Sequence, residues 1–161
     1  MDSEEAERRV TLAVERLVAT DGYLFERDLN ERTITHRLAV HLEPGFPGWH
    51  VDCEFNRDGH DPKRLNLPPR NDIGSDDVHA RTVFPDVIIH RRGTDDNLVV
   101  IEAKKTTNHE DRTWDDRKLA AFQEELGYPV VVFLLLHTAT QRAGATLEFR
   151  SGRKVSIGAA P

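Results

Sequence analysis

Apolar side chains recur at three- and four-residue steps at the start of the chain. Ala6, Val10, Ala13, Val14, Leu17 and Val18 line one face, which predicts an amphipathic helix over about 3–19. Asp2 and Glu5 stand at capping-box spacing before it, and Asp21-Gly22 stops it. A second helix is predicted from about Asn30 to Glu43, with Ile34, Leu38 and Leu42 on one face and Pro44-Gly45 at its end. The period then falls to two. In WHVDCEFNR, Val51, Cys53 and Phe55 alternate with Asp52, Glu54 and Asn56, the pattern of a half-buried strand in which Cys53 serves as a small core hydrophobe. Asp52 and Glu54 then occupy the other sheet face.

From Asp58 to Thr82 periodicity is lost. Gly59, Pro62, Pro68-Pro69 and Gly74 break the stretch, and a loop of that length inside a domain is usually functional or mobile. Lys63, Arg64 and Arg70 make it the expected seat of substrate selectivity. Two Val/Ile-rich runs come next, VFPDVIIHRR and NLVVIEAKK, separated by Gly93-Thr94-Asp95-Asp96; they predict a β-hairpin. Thr113 reads as the cap of a helix carrying Leu119, Phe122 and Leu126 up to Gly127. YPVVVFLLL is a fully buried strand by its unbroken apolar run. ATLEFR and RKVSI, around Ser151-Gly152, form a closing hairpin with a tight turn. The order is α, α, β, ββ, α, β, ββ, which predicts one α/β domain over 1–161 with a mixed sheet.

Charge narrows the partners. Lys plus Arg number 22 against 28 Asp plus Glu, a formal net of −6. Residues 1–31 hold nine acids and four arginines, so −5 sits there and only −1 on the rest. A net-acidic chain is poorly suited to coating nucleic acid indiscriminately, but a local basic groove is compatible with it. The longest apolar run, Val130 to Leu136, is seven residues against the roughly 20 needed to span a bilayer, so no membrane partner is expected. One cysteine precludes an intramolecular disulfide. The first residues are acidic and unlike a secretory signal. A cytoplasmic location is expected.

The hairpin carries the candidate chemistry. Glu102 and Lys104 are two apart on one strand and leave the same face. A hairpin symmetric about Thr94 pairs residues whose numbers sum to 188, which sets Asp86 opposite Glu102. Opposed carboxylates repel, and a hard divalent cation offsets that directly. A register shifted by one residue would separate them.

FPDVIIHRR…NLVVIEAKK resembles the PD-(D/E)XK nuclease superfamily: Pro85-Asp86, a hairpin, then Glu102-Ala103-Lys104. The helix, strand, hairpin, helix, strand order over about 30–136 is similar to the restriction-endonuclease-like α-β-β-β-α-β core, here with an extra N-terminal helix and a C-terminal hairpin. The resemblance implies that Asp86, Glu102 and the Ala103 carbonyl bind Mg²⁺ or Mn²⁺. It also implies that Lys104 assists the attacking water and that an acid on the preceding helix, Glu31, joins them. The implied activity is endonucleolytic phosphodiester hydrolysis, on DNA before RNA. Lys105, Lys118 and His36 are the expected substrate contacts, and Arg91-Arg92 with Lys104-Lys105 would flank a phosphate path. A homodimer would be the simplest way to cut both strands of a duplex. Gln123 and Tyr128 stand one residue too far apart for the Gln-x-x-x-Tyr element of one branch, so that role is not transferred.

Plainer readings stand beside these. Asp86 after Pro85 suits a strand start, and Glu102 with Lys104 suits a solvated face. Glu31 fits the third position of a capping box begun by Asp28. A nuclease-fold domain without activity would instead bind nucleic acid or protein, with the acidic N-terminal helix as its surface. A small phosphate-bearing substrate is the third alternative.

Overall fold

A computed structural model describes residues 1–55, 57–58, 61–62, 64–65, 67, 81–82, 84–140 and 142–158. The helices are α1 (Ser3–Thr20), α2 (Gly22–Glu26), α3 (Glu31–Leu42) and α4 (Thr113–Leu126). The main strands are β1 (His50–Cys53), β6 (Val87–His90), β7 (Asn97–Lys105), β8 (Val130–His137), β9 (Gly144–Phe149) and β10 (Lys154–Gly158). Between β1 and β6 lie the two-residue strands β2 (Arg57–Asp58), β3 (Asp61–Pro62), β4 (Arg64–Leu65) and β5 (Arg81–Thr82), which pair as β2–β3 and β4–β5. No described helix is long and apolar enough to cross a membrane.

The expected mixed α/β sheet is present. Its order is β1-β6-β7-β8-β9-β10, antiparallel throughout except for the parallel pair β7–β8. A parallel pair needs a crossover, and α4 provides it. Helices cover both faces. Val87, Ile89, Val99, Ile101, Val132 and Leu134 pack with α1 and α3. Ile88, Val100, Val131 and Phe133 turn the other way, onto Leu119 and Phe122 of α4. Burial on both sides explains the unbroken Val/Ile/Leu runs of β6, β7 and β8.

Several local expectations change. Asp2 caps α1 by accepting from the Glu5 N–H at 2.8 Å, but the Glu5 carboxylate lies on Arg8 and Arg9 and does not close a capping box. A short α2 follows Asp21 directly. β1 ends at Cys53 because Glu54 adopts φ 49°, breaking the alternation. Val51 therefore packs on the α1/α3 side and Phe55 on the α4 side, and Cys53 is exposed, not core. Thr113 is the first residue of α4 and not its cap; Arg112 holds the cap position, and Asp111 before it accepts from the Thr113 N–H (2.9 Å) and hydroxyl (2.8 Å). The β9–β10 connection is wider than a two-residue turn, with the Phe149 N–H donating to the Arg153 carbonyl. The stretch 58–82 is not all excursion, since Leu65 and Leu67 are buried against the α4-side core. Lys63 and Arg70, and the Arg64 side chain, lie outside the described residues.

Candidate active site

The β6–β7 ladder decides the geometry. Val87 pairs with Ile101, Ile88 with Val100 and Ile89 with Val99, the register in which numbers sum to 188. The slip comes only at the turn end, between Ile89 and His90. Glu102 and Lys104 share the face of Val100, toward α4. Asp86 sits one residue beyond the last ladder pair, where the chain bends. Its Oδ2 accepts the Ala103 N–H at 2.7 Å, a position that a strand carbonyl would otherwise fill. A strand residue's N–H and C=O leave by the same edge, so the Ala103 carbonyl points to the Asp86 side.

Glu102 is 2% exposed. Its Oε2 accepts from Lys118 Nζ at 2.6 Å, while Oε1 is buried with no hydrogen-bond partner. Burial, reinforced by the Asp86 charge and opposed by Lys118, pushes the Glu102 carboxyl up to about 8. Burial likewise pushes Asp86 up to about 6 against the pull of the Ala103 N–H and Lys118. Lys118 is itself penalised by burial, but Glu102, Asp115 and Asp86 hold its ammonium above the ordinary lysine value. Asp115, in the first turn of α4, joins the two lysines: Oδ2 lies 3.2 Å from Lys104 Nζ and Oδ1 3.4 Å from Lys118 Nζ.

Glu31 is brought to the same place from α3. Asn30, not Asp28, caps this helix through the Arg32 N–H at 2.9 Å. Glu31 is therefore the first helical residue, and the capping-box reading fails. Its Oε2 accepts the Lys105 N–H at 3.1 Å, and burial raises its pKa against that bond.

These groups line one cleft of about 210 Å³, with Asn108, Glu110, Asp111 and Trp114 completing its wall. The lining holds six carboxyl groups (Glu31, Asp86, Glu102, Glu110, Asp111 and Asp115) and two ammonium groups, Lys104 and Lys118. With all ionised, that is a formal excess of four negative charges, so a phosphate entering the cleft meets repulsion unless cations accompany it. The donors are hard oxygens, and Glu102 Oε1 is an orphaned buried acceptor. Mg²⁺ commonly takes one or two carboxylates and fills its shell with water and phosphate oxygens, which this set fits. Among the described residues no group of three or more His, Cys, Asp or Glu side chains is closed into a ligand set; Lys118 holds one oxygen of Glu102 and the Ala103 N–H one oxygen of Asp86.

No protein-family model, curated protein or solved structure matches the chain. The site's chemistry therefore rests on its own geometry.

Not every candidate arrives. Lys105 leaves the opposite face of β7 from Lys104; its Nζ lies on Asp28 Oδ1 at 3.0 Å and on the Leu29 carbonyl at 3.2 Å. His36 is exposed on α3 and does not line the cleft. Arg91 and Arg92 lie beyond the other end of β6, roughly 16 Å along the strand from Asp86 at a rise of about 3.3 Å per residue. Arg91 stacks on Trp49 and pairs with Asp96, and Arg92 pairs with Asp52. They do not flank a path at this cleft. Asp52 also holds His90 at 2.9 Å, and Glu54 holds Arg32 at 2.8 Å, so neither joins the acidic pair. Arg92→Ala is accordingly expected to leave any activity of the cleft within about twofold and to cost about 1–2 kcal/mol, because Arg92 grips the largely buried Asp52 carboxylate with two hydrogen bonds; rate assays and melts of the variant check both. Asp115 is the site residue least visible in the sequence. Its only signal is its three-residue spacing from Lys118 on one predicted helix.

Proposed function

We propose that the chain is a Mg²⁺- or Mn²⁺-dependent nuclease of the PD-(D/E)XK, restriction-endonuclease-like kind, hydrolysing phosphodiester bonds of nucleic acid, DNA before RNA. The observation that carries this reading is the meeting of Asp86 and Glu102 across the end of the β6–β7 ribbon, with Lys104 beside them and Glu102 Oε1 buried without a partner. The order α3, β1, β6, β7, α4, β8 supports it, as does the excess of carboxylates in the cleft lining, which a divalent cation would offset. Asp86, Glu102 and the Ala103 carbonyl would hold the ion. Bound there, it supplies an activated water and neutralises charge on the scissile phosphate.

The protein's own groups do the rest. Lys104, pinned by Asp115, presents a fixed positive charge where negative charge grows on the phosphate, a preorganised form of electrostatic stabilisation. Glu31, held by the Lys105 N–H, places a third acceptor at the cleft wall to orient water. The Asp86–Ala103 bond keeps the first carboxyl aimed.

The test is incubation with supercoiled plasmid, linear duplex, single-stranded DNA and RNA in Mn²⁺, Mg²⁺ or EDTA, with mononucleotides in parallel. Strand cleavage that needs the metal is the expected result. Binding without cleavage in any metal would assign the chain to the interaction-module alternative, and turnover of mononucleotides alone to the small-substrate one.

A further inference from the structure

We propose that Lys118 is a built-in competitor for the divalent ion: its ammonium holds Glu102 until a cation displaces it, and this competition sets the metal affinity of the cleft. The inference rests on the metal-site reading of Asp86 and Glu102. Lys118 Nζ lies 2.6 Å from Glu102 Oε2 but 3.4 Å from Asp115 Oδ1, so Glu102 is its principal partner and Asp115 a second one within reach. Its side chain is 15% exposed, which shields the pair from solvent and strengthens the attraction. The stem is anchored on α4, whose Leu119 and Phe122 are buried against the sheet, so the ammonium moves by side-chain rotation without moving the helix.

A divalent ion and an ammonium attracted to one carboxylate repel each other at such range. On metal binding the Nζ–H···Oε2 bond breaks and Glu102 turns to the ion. The ammonium keeps its proton and passes to Asp115, three residues back on the same helix face. Asp115 therefore does two jobs, fixing Lys104 and receiving Lys118. The arrangement has a chemical use. Without a metal, the ammonium is the partner of Glu102 and limits the cost of its ionisation; with one, a second ammonium stands on Asp115 beside the incoming phosphate. Removing Lys118 takes away the competitor and raises the formal excess of negative charge in the lining from four to five.

Calorimetric titration of Mn²⁺ into the wild-type chain, Lys118→Met and Asp86→Asn tests this. Lys118→Met is expected to bind Mn²⁺ at least tenfold more tightly than wild type, and Asp86→Asn more weakly. Equal or weaker binding by Lys118→Met, with Mn²⁺ still bound by wild type, overturns the competition and leaves the metal site standing. Absence of Mn²⁺ binding by wild type and Lys118→Met alike overturns both. Should Lys118→Met not fold, the wild-type protein decides the matter: amine acylation of Lys118, followed by mass spectrometry, is expected to run several-fold faster in saturating Mg²⁺ than in EDTA. An unchanged rate overturns the proposal.

Discussion

Alanine at Asp86 or at Lys104 is expected to lower metal-dependent strand cleavage by at least roughly 10²–10³-fold, the loss seen when one charge-stabilising group leaves a preorganised site. The two substitutions act differently. Asp86→Ala removes an oxygen donor, so raising Mg²⁺ should recover part of the rate. Lys104→Ala removes a positive charge that added metal does not replace, so its defect should persist at saturation. Neither change should unfold the protein. Asp86 lies beyond the last ladder pair, and the bond it makes to the Ala103 N–H is offset by relief of its repulsion with Glu102. Lys104 gives up one partner, Asp115, which keeps Lys118. Initial rates on plasmid across a Mg²⁺ series, with thermal melts of each variant, check both parts. Cleavage within tenfold of wild type for both variants would remove these residues from the mechanism.

The meeting of Asp86 with Glu102 is legible in the sequence because it depends only on local chain. Counting outward from Thr94 reaches the two acids, although the Val and Ile runs, buried on both faces, do not by themselves select that register. The paired residues Val87–Ile101 and Ile88–Val100 keep that count. The helices' contributions to the cleft are not legible in the same way. Glu31 fits a capping pattern on spacing alone, and only the tertiary contact with the Lys105 N–H, 74 residues away, shows that its carboxyl points elsewhere. Lys118 reads as one surface lysine among many until α4 docks with Leu119 and Phe122 inward, which turns the adjacent lysine toward Glu102. Phe55 departs from the alternating pattern for a backbone reason. A single left-handed residue, Glu54, sends Phe55 to the face opposite Val51, and a glutamate carries no signal for that conformation.

Glutamine at position 102 should alter stability in a way that depends steeply on pH. The Glu102 carboxyl is raised by burial, then by Asp86, to about 8 in the folded protein, whereas in the unfolded chain it titrates near the ordinary glutamate value of about 4.3. Between those limits the folded state binds the extra proton, so stability falls as pH rises. The cost is absent below about pH 4 and complete above about pH 8. Asp86, raised to about 6, adds a smaller loss of the same sign, complete by about pH 6 and common to both proteins. Glutamine keeps the shape of the neutral acid at every pH and does not ionise. In EDTA, Glu102→Gln should therefore melt close to wild type at pH 5 and several degrees above it at pH 9, at about 2–4 °C per kcal/mol for a chain of this size. Mg²⁺ should narrow the gap at pH 9, because only the ionised glutamate gains from a bound cation. Melting curves at pH 5, 7 and 9, with and without Mg²⁺, measure all of this. A gap that stays constant from pH 5 to 9 in EDTA would mean that Glu102 keeps one charge across that range and that burial does not hold its proton.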